Sequence, residues 1–282
     1  VQFGNTKPRF GRPLSESEES MLEADAPHLD WYWELFAAIN EVLAEDERDL
    51  ERGFGIDRER DLLEPTDPRV ETVAHALEWF SLPSVEVYRW RGGGYRCVVQ
   101  LGDVTRVLIG STLATDADGR ELYAAAIYSA AMSFAGVERT LGLETDHLET
   151  ALQGLAHAVV GEQPLITMTD ESLRRSGEFA RAMPSMILKG LNDSVDSYVK
   201  RHSTLGLAQV VSALRIRALR FALLATGGDC ESTATAYLRL NDADGWELED
   251  RRAVFERVLE LRSIEDFHVS WEHSALRREL GL

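Results

Sequence analysis

Cysteine is scarce in this chain, with Cys97 and Cys230 the two present among 282 residues. Two cannot build a disulfide framework, and they stand too far apart for a paired-cysteine metal knuckle, so a reducing, cytoplasmic setting is expected. Basic charge is short too: 30 Lys and Arg face 48 Asp and Glu, for a formal net charge of −18. A field of that sign repels phosphate, which argues against nucleic acid and anionic membranes as partners and favours a basic protein segment. Arg215, Arg217 and Arg220 recur at helical spacing inside an apolar segment and read as local charge pairing. No apolar run approaches the about 20 residues that span a bilayer, and no charged-then-apolar signal opens the chain. The first residue is Val1, not methionine, which suggests a fragment, a processed product or part of something longer.

What is present is core material. Hydrophobic residues make up 44% of the chain, enough for one large domain or two small ones. Residues 1–27 are polar, carry prolines and lack apolar periodicity, and are expected to be an arm or linker. Residues 28–282 are expected to form a single helical domain. Its first helix carries an apolar stripe of Trp31, Leu35, Ile39, Val42 and Leu43, and a second stripe runs through Val70, Val73, Ala74, Leu77 and Phe80. The period then changes. "VEVYRWR", "YRCVVQL" and "TRVLIG" are short, β-branched and aromatic, separated by Gly92–Gly94 and by "GD", and predict a small antiparallel β-meander at about 85–110. Tyr88 and Trp90 share one strand face that needs a cover, expected from within the chain.

Beyond it the pattern predicts helices over 120–140, 146–160, 170–182, 185–201, 205–226, 230–239, 248–261 and 270–280. Gly227 and Gly228 stop one of these, and Asp229 caps the next. The fold class is therefore mainly α with a small sheet (α+β).

The segment from "VEVYRWRGGGYRCVVQLGDVTRVLIGSTL" through "DADGRELYAAAIYSAAMSF" to "RALRFALLATGGD" resembles the HtpX-like zinc metallopeptidases. In that family strands lead into a helix bearing HExxH, and a later helix brings a glutamate ligand. The resemblance covers about residues 85–230 and implies a zincin-like fold. Histidines at i and i+4 grip one zinc ion, and the glutamate between them is the general base. Matching Glu121-Leu122 to the family's Glu-Leu puts Tyr128 and Met132 on the histidine positions and Ser129 on the base position. Arg215 then falls on the third-ligand position. A phenol and a thioether are poor zinc ligands at neutral pH, a hydroxyl is no carboxylate base, and a guanidinium brings a fixed positive charge where the metal would be.

The resemblance thus implies a pseudopeptidase with a relic, structural site of Tyr128, Ser129, Met132 and Arg215, no catalytic residue, no metal and no cofactor. The stretch also resembles the C-terminal regions of large, uncharacterised bacterial proteins with tetratricopeptide repeats, which implies a protein-interaction or scaffold module. Such a module would bind a basic protein partner or another part of a longer parent chain, in the groove beside the edge strand. An alanine-rich core helix with Tyr128 and Met132 packed beneath it stays open as the plainer reading. Also open are a hydrolase with an unrecognised site and a structural subunit of a larger assembly.

Other candidates carry less. His147 and His157, with Glu149 and Glu162, are close enough in sequence to suggest a metal, but ten residues of helix put the histidines on roughly opposite faces. Cys230 stands at an expected helix N-terminus, where a thiol can become reactive. "RGGGY" lacks the lysine and helix of a phosphate loop and reads as a hairpin turn. "DADG" at 116–119 and 242–245 has too few ligating oxygens for calcium and reads as turn and cap chemistry. No G-x-S-x-G elbow occurs.

Overall fold

A computed structural model describes residues 20–22, 29–47, 50–82, 84–141, 143, 145–160, 174, 177–178, 181, 185–201, 207–241, 251–280 and 282. The expected arm at 1–27, the expected helix at 170–182 and the second "DADG" lie almost wholly outside these residues. The longer elements, in chain order, are α1 (Leu29–Glu47), α2 (Pro68–Leu77), β1 (Val85–Trp90), β2 (Cys97–Gln100) and β3 (Thr105–Gly110). There follow α3 (Gly119–Phe134), α4 (Thr145–Val160), α5 (Asn192–Arg201), α6 (Leu207–Ala225), α7 (Cys230–Leu240), α8 (Leu259–His268) and α9 (Trp271–Leu280). The protein is mainly helical with one small sheet. Among the described residues no helix is long and apolar enough to cross a membrane.

Contacts gather the chain into two compact units where the sequence was read as one domain over 28–282. The first unit takes residues 1–24, 50–134 and 213–282, and the second takes 25–49 and 135–212.

The sheet belongs to the first unit and corrects the expected antiparallel meander. Its order is β1-β3-β2, with β1 parallel and β2 antiparallel to the central β3. "RGGGYR" is therefore not a hairpin turn. It carries the chain across the C-terminal end of β3, where the backbones nearly touch: a Cβ on Gly110 would lie 2.3 Å from the Gly94 carbonyl oxygen. Only residues without a side chain permit that approach. The crossing is fixed by the Gly110 N–H, which donates to the Arg96 carbonyl at 2.8 Å, and by the Thr112 and Leu113 N–H groups, which donate to the Gly94 carbonyl at 3.0 and 3.1 Å. That carbonyl thus serves the orphan donors of the short helix Ser111–Asp116.

Both sheet faces are covered from within this unit. Tyr88 and Leu108 form a buried cluster with Leu50 and Ile56, and Phe54 meets the Trp90 ring edge-on at 5.1 Å. On the opposite face Val87, Val99 and Val107 stand in register and are buried, and within the same unit α3 packs on β2 and α2 on β1. The outer edge of β1 meets Leu62–Leu63, through a bridge to Tyr88 and the Leu63 N–H donating to the Val87 carbonyl at 2.9 Å.

The second unit is helical among its described residues. In it α5 packs on both α1 and α4. The Tyr32 ring stands edge-on to Tyr198 at 6.2 Å, and the Gln153 amide donates to the Tyr198 hydroxyl at 3.1 Å. Thr140 donates to the Phe36 carbonyl at 2.8 Å, tying Glu138–Leu141 to α1.

Helix ends follow the local chemistry. The Gly228 N–H reaches the Leu223 carbonyl at 2.8 Å and the Gly227 N–H reaches Leu224 at 3.1 Å, a Schellman closure of α6 with both glycines at positive φ. Asp229 then caps α7 through the Ser232 N–H at 3.0 Å. The helix expected over 120–140 is instead two, α3 and Glu138–Leu141, parted at Gly136 with φ 66°. Those expected over 185–201 and 248–261 are likewise broken, before Asn192 and at Val258.

Candidate functional site

Helix α3 is the axis of the first unit. It opens on Asp118, whose carboxylate accepts from the Arg120 and Glu121 N–H groups at 2.9 and 2.8 Å, so the first "DADG" is indeed a cap. The helix is buried almost all round, packed by α2, α7 and β2. Ala125, Ala126 and Ala130 have no exposed surface. Small side chains let the neighbouring elements come close, and every polar group on such a helix must then find a partner within the protein.

Tyr128, Ser129 and Met132 are all buried. The Tyr128 ring stands edge-on to Tyr237 of α7, with centroids 5.8 Å apart. The Arg215 guanidinium of α6 lies close enough to the Tyr237 hydroxyl to draw its titration slightly down. Burial, with smaller effects of Tyr128 and Glu260, pushes that phenol well above its ordinary range, so it stays neutral at physiological pH. Tyr237 thus joins two of the sequence-derived positions, Tyr128 and Arg215, though it was not among them. A tyrosine in "ATAYLRL" carries no local mark that would single it out.

This donor set does not fit zinc. Its members are two phenols, one of them held neutral, a hydroxyl, a thioether and a guanidinium. Among the described residues no group of three or more His, Cys, Asp and Glu side chains is placed to hold a metal ion. His147 and His157 are both exposed on α4 and, ten residues apart, are separated by about 15 Å of helix rise. Glu162 lies outside the described residues.

A second polar cluster sits at the start of α3. Arg239 Nη1 reaches both carboxylate oxygens of Glu121 at 2.9 Å, bonds the Tyr95 hydroxyl, and lies over the Tyr95 ring at 4.7 Å. Burial pushes the Glu121 carboxyl up more strongly than Arg239 pulls it down, and Asp118 and Asp116 add to the rise. On another side of α3 the Trp79 indole donates to the Tyr123 hydroxyl at 2.7 Å. Burial pushes Tyr123 up to about 12.

The edge strand beside α3 is already engaged: the Ser133 hydroxyl donates to the Val99 carbonyl at 2.7 Å. Cys230 lines a cavity of about 230 Å³ with Ala234, Leu238, Val254 and Phe255. Its thiol is pushed up to about 11 by burial, then by Asp229 and Glu265, which leaves it protonated and poorly nucleophilic at neutral pH.

Comparison of the chain with known protein families, with curated proteins and with solved structures finds no match.

Proposed function

We propose that this chain is a non-catalytic protein-interaction or scaffold module, built on a peptidase-like helical arrangement that binds no metal. The observation that carries this reading is the Tyr128–Tyr237–Arg215 contact. Two of the positions that the resemblance would give to zinc ligands, Tyr128 and Arg215, both neighbour the buried Tyr237, which supports a packed interior in place of a metal site. A guanidinium in that place repels a dication, and the neutral phenol offers it no charge. The acidic balance of the chain suits a basic partner segment or another part of a longer parent chain. Both cysteines are free, which fits work in the cytoplasm.

Purified full chain, dialysed against zinc and analysed by elemental mass spectrometry, is expected to carry well under one equivalent, and to leave a mixed peptide library uncut with or without a chelator. Stoichiometric zinc lost on the Tyr237→Phe and Arg215→Ala substitutions, or chelator-sensitive cleavage, would overturn the proposal.

A further inference from the structure

The turn that closes α6 is also the seat of the C-terminal helix pair. Arg277 Nη1 donates to the Gly227 carbonyl at 2.6 Å, and a Cβ on Gly228 would lie 2.9 Å from the His268 ring, so α8 and α9 both press on this turn. Between them lies His273, 2% exposed, its ring 5.2 Å from that of His268 and 5.3 Å from that of Phe267. His273 Nδ1 is 3.0 Å from the His268 carbonyl oxygen. A carbonyl only accepts, so Nδ1 carries the hydrogen, and Nε2 is left as a bare acceptor in the neutral ring. That Nε2, like Nδ1 of His268, is buried with no hydrogen-bond partner among the described residues.

We propose that the α8–α9 pair is a proton-operated latch: a proton taken up at His273 Nε2 has no acceptor, and α9 loosens from the Gly227–Gly228 turn in mild acid. The charged neighbours of the ring all oppose the proton. Burial is the largest influence and holds the His273 imidazole below its ordinary range; the hydrogen bond to the His268 carbonyl works the other way, while the charges of His268, facing it from α8, and Arg277, on its own helix, add to burial. Asp229, the acid of the turn, is bonded to Ser232 and paired with Arg120 at 3.5 Å. Of the acids on the two helices, Glu265, Asp266 and Glu279 are exposed and Glu260 and Glu272 are half-buried.

The sign follows from linkage. Above about pH 6.5 the ring is neutral in folded and unfolded chain alike and costs nothing. As pH falls below that value the unfolded chain protonates first, and stability drops until the lower folded midpoint is reached. Local opening feels the same penalty. It would bare Leu276 and Phe267, now buried, and release Arg220, which lies over the Phe267 ring at 5.1 Å. The latch is thus an acid-dependent source of apolar surface in an interaction module.

Hydrogen exchange on the full chain, corrected for the intrinsic pH dependence of exchange, tests this. Between about pH 7.5 and about pH 5.5, peptides covering residues 259–280 are expected to gain several-fold in opening, up to about tenfold, the ceiling set by protonating an ordinary unfolded imidazole one pH unit below its midpoint. Peptides from the β3 region should not change. His273→Gln should abolish the gain. If that variant does not fold, His268→Gln serves instead, because removing the opposing His268 ring should raise the NMR titration midpoint of His273 and shrink the gain. An acid response absent from 259–280, one retained in folded His273→Gln, or a His273 midpoint unmoved by His268→Gln would overturn the latch.

Discussion

Helices α3 and α4 are each sixteen residues long and apolar in similar measure, yet they solve opposite problems. Along α4, Leu148, Leu152 and Leu155 are buried while Asp146, His147 and His157 stay in water, the ordinary amphipathic solution. Its buried Gln153 side chain is satisfied by Tyr198. Helix α3 is enclosed along its middle turns and still carries Glu121, Tyr123, Tyr128 and Ser129 inside. Partners for these polar groups come from elsewhere in the first unit: Arg239 reaches Glu121, and Trp79 reaches Tyr123. A conspicuous residue pattern, the alanine run with two flanking tyrosines, marks enclosure; a pair of histidines on the open helix marks nothing more than solvent.

The contrast can be broken by substitution. The largest effect is expected from Arg239→Met, which leaves the Glu121 carboxylate buried beside Asp118 and should cost about 3–5 kcal/mol in urea unfolding at neutral pH. Because Glu121 is already raised by burial, the deficit should shrink as pH falls and the carboxyl takes up a proton; a deficit that grows in acid would refute the pairing. Ala126→Leu should follow, at about 1–3 kcal/mol, from overpacking a fully enclosed site. Tyr237→Phe removes the buried hydroxyl beside Arg215 and should cost about 1 kcal/mol, with the fold kept by circular dichroism. The smallest is His147→Ala on α4, within about 0.5 kcal/mol in the same titration. Equal sensitivity of α3 and α4 would dissolve the distinction.

Much of the local structure was legible before any coordinates. The Asp118 and Asp229 caps, the glycine stop at Gly227–Gly228, and the strands at 85–110 are each written within a few consecutive residues, because a helix end needs its partner one turn away. What was not legible is what joins distant residues. Strand order is a choice among neighbours that alternating hydrophobicity does not rank, so β1 beside β3 was hidden behind the usual preference for hairpins. The pairing of Glu121 with Arg239 spans 118 positions, and neither residue looks unusual where it stands. At the candidate site Tyr128 and Arg215 do come together in one cluster, but through Tyr237, which no spacing argument names. The two units interleave segments of the chain, a division that a linear reading treats as continuous.

The crossing of "RGGGYR" over the end of β3 has a consequence for how the chain is made. During synthesis β1 emerges before either of its companions, and it lies parallel to a strand that follows it only after β2. The edge of β1 that faces β3 therefore waits unpaired until Thr105–Gly110 has left the ribosome, the circumstance in which nascent strands are most exposed to wrong partners. The hairpin of β2 and β3 can close on its own, and the glycine strap must then settle across Gly110 as β1 docks, so a side chain introduced at Gly110 should slow refolding as well as weaken the finished sheet.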